Sequence, residues 1–301
     1  MYGLCGQKLA PAAGAAVILI SVLLAGSVSA REPVKACGGM VASVSPPATE
    51  VGLAALQRGG TAVDAAVAVA FALAVTFPEA GNIGGGGFMV VRPGGGSDPA
   101  VIDYREVAPR AATRELFATL ESKLGHKAVG VPGTVRGLAA AHQRFGRLSW
   151  KEVVQPAVEI AERGLTLDGD LAGALNRLVG QSSAFPEFCR VYGKDGGKAA
   201  WAAGDCLVQK ELARTLRQIA EEGPDAFYRG PIADLIVAEM QRGGGLVAKE
   251  DLGAYTPQVK APLRGSYRGH EILCPPPPTG GTVLVEMLNI LENFDLRSQG
   301  R

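Results

Sequence analysis

Histidine is scarce in this sequence: 301 residues hold three, His126, His142 and His270, far from one another. Five cysteines (Cys5, Cys37, Cys189, Cys206 and Cys274) form no CxxC pair and no cluster with histidine. Zinc and haem need such ligands at short spacings, so no metal and no cofactor is expected. An excess of charge of one sign is also missing, since 30 Lys+Arg stand against 29 Asp+Glu for a net +1. Without a basic field nothing recruits nucleic acid or an acidic lipid surface, and the expected partner is a small molecule recognised locally. Two motifs are absent as well. There is no Gly-x-Ser-x-Gly elbow to carry a serine nucleophile, and no Gly-Lys-Ser/Thr follows the glycine-rich stretch to hold a phosphate.

Apolar residues, by contrast, are plentiful: 47% of the chain is hydrophobic and 20% charged, enough apolar surface to offset ordering entropy. Glycine is abundant, 41 residues, but has no G-X-Y period, so collagen is excluded.

Residues 1–30 carry one charge, Lys8, then an apolar run from Ala15 to Ala25, then Ser27-Val28-Ser29-Ala30. That order is a secretory signal peptide with cleavage expected after Ala30. Gly14, Ser21 and Gly26 interrupt the run, which falls short of the roughly 20 apolar residues of a membrane span. The expected organisation is a signal peptide over 1–30 and one region over 31–301, secreted or periplasmic. An oxidising compartment permits disulfides, and Cys189 and Cys206 flank a polar, glycine-rich stretch that can fold back. A bridge between them and two free thiols are equally open at this point.

Two helices are expected over 45–77. Ser45-Pro46-Pro47 opens the first and Gly59-Gly60 closes it; Thr61 with Asp64 forms a capping box for the second. Residues 62–76 are apolar on every side, as in a central core helix. Phe88–Arg92 and Ala100–Arg105 flank a Pro/Gly loop and read as a β-hairpin, the first strand apolar throughout as if covered on both faces. Residues 110–250 read mainly as amphipathic helices, including a stripe of Leu212, Leu216, Ile219 and Ala220 and one of Ile232, Leu235, Ile236 and Met240. Pro275–Pro278 breaks the chain before a last helix striped by Leu284, Met287, Leu288 and Leu291.

Gly84–Gly87 admits three roles: a phosphate cradle, a close backbone approach, or packing of the hairpin on a neighbouring helix. The cradle is disfavoured because the run opens a strand rather than a helix. Arg105, ending the second strand beside Glu106, is either a bidentate clamp for a substrate carboxylate or one half of a structural ion pair. His142 and the Glu250-Asp251 pair read as packing and helix-opening residues.

The motifs Ala48-Thr49-Glu50-Val51-Gly52, Gly59 to Ala66, Gly81-Asn82-Ile83-Gly84-Gly85-Gly86-Gly87-Phe88-Met89, Asp103-Tyr104-Arg105-Glu106, Gly130-Val131-Pro132-Gly133-Thr134 and Pro275 to Gly281 occur in order. On these the chain resembles the large-subunit half of the γ-glutamyltranspeptidase (glutathione hydrolase) family. The resemblance implies an α+β fold of N-terminal-nucleophile hydrolase type, an αββα sandwich that is incomplete here. It implies an exported precursor that cuts itself before a threonine. That threonine's hydroxyl attacks a γ-glutamyl carbonyl, and the ester passes to water or an amino acid. Glutathione or another γ-glutamyl compound is the implied substrate, and the small-subunit half of the same precursor the implied partner. Arg105 is the implied ligand of the substrate α-carboxylate. No Thr-x-His stretch of the kind that carries the family's nucleophile is present. The catalytic threonine is therefore expected beyond Arg301, and these residues alone are expected to be inactive. Alternatives are a fold-related acylase, a poly-γ-glutamate depolymerase, or a non-catalytic γ-glutamyl-binding module.

Overall fold

The computed structural model describes residues 33–119, 124–296 and 298. The expected signal peptide lies outside them. Residues 33–39 are irregular and exposed, and the folded body begins at Met40.

The body is built around a helix that the sequence marks clearly. Helix α1 spans Pro46–Gln57 and α2 spans Ala62–Thr76. Thr61 caps α2: its hydroxyl accepts from the Val63 and Asp64 amides, and the Asp64 carboxylate accepts from the Thr61 amide at 2.7 Å. Val67, Phe71, Ala72 and Val75 are fully buried, so α2 runs through the core. It is not buried on every side as expected: Ala62 and Ala66 are exposed and Ala70 and Leu73 half-buried, a narrow stripe at helical spacing. Ser45 does sit at the N-cap of α1, but its side chain makes no cap bond. The Ser43 hydroxyl instead donates to the Ser45 carbonyl.

Strands β1 (Phe88–Val91) and β2 (Ala100–Asp103) form the expected antiparallel hairpin, with Val90 opposite Val101. A helix α3 (Arg114–Thr119) and a 3-10 turn at His126–Ala128 follow. Next come α4 (Thr134–Phe145), α5 (Trp150–Arg163), β3 (Leu165–Thr166), α6 (Gly169–Gln181), α7 (Pro186–Tyr192) and β4 (Cys206–Leu207). The helical series closes with α8 (Lys210–Glu222), α9 (Asp225–Tyr228), α10 (Pro231–Gly243) and α11 (Lys249–Ala254). Strand β5 (Gln258–Lys260) then joins the free edge of β2, giving the order β1-β2-β5. A separate hairpin, β6 (Leu263–Tyr267) with β7 (His270–Cys274), leads through the proline turn into α12 (Gly281–Glu292). The architecture is mixed α and β, with α5 packed between α2 and α8.

Three further expectations change. β1 is not covered on both faces: it is the sheet edge, and Val90 is 39% exposed, while the central strand β2 buries Val101 and Ile102 completely. Leu235 is 72% exposed. At about 100° per residue Ile232, Ala233, Ile236 and Met240 fall within one arc, and Leu235 lies outside it. Cys189 and Cys206 are both free thiols. The intervening stretch does fold back, through a Lys194–Ala199 bridge, yet Cys189 Sγ faces the Val179 and Ser182 carbonyls and Cys206 Sγ the Arg163 carbonyl.

Helix α12 packs one side on β6, where the absent side chain of Gly265 leaves room for Val285. Leu288 is half-buried, while Val283, Leu284, Met287, Ile290 and Leu291 are exposed.

Candidate functional site

Strand β2 delivers Arg105 to the surface two residues past its last paired residue, Asp103. Glycines build the support behind it. The Gly87 and Tyr104 backbones exchange hydrogen bonds at 3.3 and 3.0 Å, and the Gly85 carbonyl accepts from the Gly133 and Thr134 amides at the start of α4. A Cβ at Gly86 would press on the Tyr104 carbonyl and the Glu106 backbone. The glycine run therefore performs the close approach and the packing together, with the protein's own chain as neighbour.

Three contacts hold Arg105. Its amide donates to Asp103 Oδ1 at 3.1 Å, its carbonyl accepts from the Tyr255 hydroxyl at 2.9 Å, and Nη1 donates to the Pro278 carbonyl at 3.0 Å. The alternative of a structural ion pair is not realised: among the described residues no carboxylate pairs with its guanidinium. Asp103, two residues before it, is taken instead by Lys260 Nζ at 2.6 Å. A guanidinium offers five N–H donors in a planar fork, so most of this one remains open to solvent and to an anion.

The other candidates take the structural roles weighed for them. His142 Nε2 lies 2.9 Å from the Leu148 carbonyl and 3.5 Å from the buried Asp64. Asp251 closes the first turn of α11 by accepting from the Ala248 amide, and also accepts from the Arg110 amide. No group of three or more His, Cys, Asp or Glu among the described residues is placed to hold a metal. A cavity of about 650 Å³ lies elsewhere, between the start of α1, the end of α2 and α6, and Arg105 is not in its wall.

Tyr255, Lys260 and Pro278 escape a reading of the sequence. They lie 150 to 173 residues downstream of the hairpin end they brace, and no local pattern links them to it.

A helix-rich α/β body thus presents, on a glycine-backed β-ribbon, an arginine with no acidic partner among the described residues. The sequence matches the family profile described as Gamma-glutamyltranspeptidase over residues 48–301, and the chain belongs to that family. The glutathione hydrolase proenzyme of Escherichia coli (strain K12) is 46% identical over 277 residues, covering 89% of this chain and 47% of that protein. Among solved structures, the γ-glutamyltranspeptidase of Helicobacter pylori superposes with a TM-score of 0.85 at 39% identity, covering 89% of this chain and 79% of that one. The γ-glutamyltranspeptidase of Pseudomonas nitroreducens complexed with L-DON gives 0.79 at 40% identity, covering 86% and 77%. The chain spans about half the length of the curated relatives it matches.

Proposed function

We propose that this chain is the large-subunit portion of an exported γ-glutamyl-transferring precursor, a glutathione hydrolase, and that Arg105 holds the α-carboxylate of the γ-glutamyl donor. The observation that carries the reading is the open guanidinium: one N–H engaged by the Pro278 carbonyl and no carboxylate partner among the described residues. A charge-assisted, forked pair with a substrate carboxylate fixes both position and orientation of the donor.

In this reading the rest of the machinery comes from a second half of the same precursor. That half supplies a threonine hydroxyl, which attacks the γ-carbonyl carbon while an amine takes the hydroxyl proton. The C–N bond of the γ-amide breaks, and the leaving amine departs with that proton. The ester is then opened by water or by an amino-acid amine. The second half also completes an αββα sandwich over the β1-β2-β5 sheet and the β6–β7 hairpin. Its docking would cover the apolar face of α12.

The test is release of glutamate from a γ-glutamyl anilide by the full-length protein and by residues 31–301 alone. Activity confined to the full-length protein is expected. Release by the 31–301 polypeptide would overturn the division of labour, and full-length protein cleaving only an unrelated acyl amide would favour an acylase.

A further inference from the structure

The geometry points to Tyr255 as a positioning residue for Arg105, acting on the peptide from which the guanidinium projects; the inference rests on the carboxylate-binding role proposed above. Tyr255 lies just past α11, and its hydroxyl donates to the Arg105 carbonyl at 2.9 Å. Its ring is nearly parallel to that of Tyr228, with centroids 6.0 Å apart and planes 11° from each other. Both residues are buried, Tyr228 completely. The guanidinium of Arg136 sits 4.2 Å from the centroid of the Tyr228 ring. Arg136 Nη1 also donates to the carbonyls of Leu252, Gly253 and Tyr255, at 3.1, 3.2 and 2.6 Å. One cation therefore grips both the aromatic stack and the backbone that bears Tyr255.

That construction gives Tyr255 little freedom. Burial raises the pKa of its phenol, and the neighbouring Tyr228, Asp103 and Glu106 push the same way, so the hydroxyl stays protonated as a donor. Gly133 leaves the slot the hydroxyl needs, because a Cβ there would overlap both the Tyr255 hydroxyl and the Tyr104 carbonyl oxygen. Of the three anchors on Arg105, the Asp103 contact is local to β2 and the Pro278 contact holds the tip of the side chain. Tyr255 is the one that ties the peptide of Arg105 to the helical body.

The experiment is a double-mutant cycle in the full-length protein, reading KM and kcat on a γ-glutamyl anilide. Tyr255→Phe keeps the ring and removes the hydroxyl. It is expected to raise KM about three- to tenfold, the size of one lost hydrogen bond, with kcat within about twofold. In an Arg105→Ala background the same change is expected to leave KM where Arg105→Ala puts it. A KM unmoved by Tyr255→Phe, or raised equally in both backgrounds as a general loosening would do, overturns the inference. Arg105→Ala alone reports on the underlying reading, since an unchanged KM there refutes the carboxylate role and this inference with it. Should Tyr255→Phe not accumulate, Arg136→Lys loosens the same brace. In the same cycle it is expected to raise KM only where Arg105 is present, and a KM unmoved or raised equally in both backgrounds again overturns the inference.

Discussion

Arg105 Nη1 donates to the Pro278 carbonyl at 3.0 Å across 173 residues of sequence. The bond joins the end of the β1–β2 ribbon to the proline turn that aims α12. A single guanidinium thus touches two motifs that the sequence separates widely. It also leaves the opposite edge of the fork unoccupied by any acid among the described residues. The nearby Asp103 carboxylate is kept from that edge by Lys260.

Removing Lys260 tests that division. Lys260→Met strands a half-buried Asp103 carboxylate, whose remaining contact here is the Arg105 amide. A loss of about 1–3 kcal/mol in chemical denaturation is expected from the unpaired group. Competition from Asp103 for the guanidinium should also raise KM for a γ-glutamyl donor. An unaltered denaturation midpoint with an unaltered KM would show that the Lys260 bond does neither job.

Gly137 lies within α4, where alanine is intrinsically favoured by about 1 kcal/mol. A Cβ there, however, would overlap the Cβ and ring of Tyr104, which crosses the helix beneath β2. Overpacking of this kind costs about 1–3 kcal/mol, occasionally more, so the clash outweighs the propensity gain. Gly137→Ala is expected to lower the melting temperature. A rise would mean that Tyr104 has room to move.

Acid sensitivity follows from the cap of α5. The Ser149 hydroxyl, then the Ser149 amide and then Arg58 hold the Glu152 carboxyl at about 2, against an ordinary 4.5. The carboxylate's contribution to stability is complete above about pH 4.5 and is lost as pH falls towards 2. Glu152→Gln should flatten the melting-temperature profile over that window and change its slope little above it. Identical acid limbs for the two proteins would contradict the assignment.

The exposed face of α12 makes a further prediction. Val283, Leu284, Met287 and Ile290 are each 46% exposed or more on one short helix. An apolar patch of that kind drives association when uncovered. Residues 31–301 should therefore run as oligomers in light scattering, and Leu284→Glu with Met287→Glu should shift them towards monomer. A monodisperse unmutated monomer would argue that the face is innocuous.

What was legible in the sequence tracks how local each signal is. The α2 helix could be read because Thr61 and Asp64 sit three residues apart and the 15 residues Ala62–Thr76 are apolar except for Asp64 and Thr76. The hairpin was legible from its Pro/Gly loop. Its exposure was not, because β5, which makes β2 central and β1 an edge, arrives 155 residues after Asp103. Leu235 was misplaced because a stripe defined by spacing alone does not say how wide an arc the neighbouring helices cover. Arg105 was identifiable as a residue, from the Asp-Tyr-Arg-Glu motif. The contacts that decide its availability, with Tyr255 and Pro278 and between Asp103 and Lys260, belong to tertiary structure. The free thiols of Cys189 and Cys206 have the same cause: the loop between them closes, but each sulfur turns to a different carbonyl.

The most direct measurement is KM for a γ-glutamyl donor in the full-length protein carrying Arg105→Lys. Lysine keeps the positive charge and loses the fork. If that fork is what seats an amino-acid head group, KM should rise about ten- to a hundredfold, the range for losing a charged hydrogen-bonded pair, while precursor cleavage proceeds as before. An unchanged KM would mean that the substrate's carboxylate is held elsewhere.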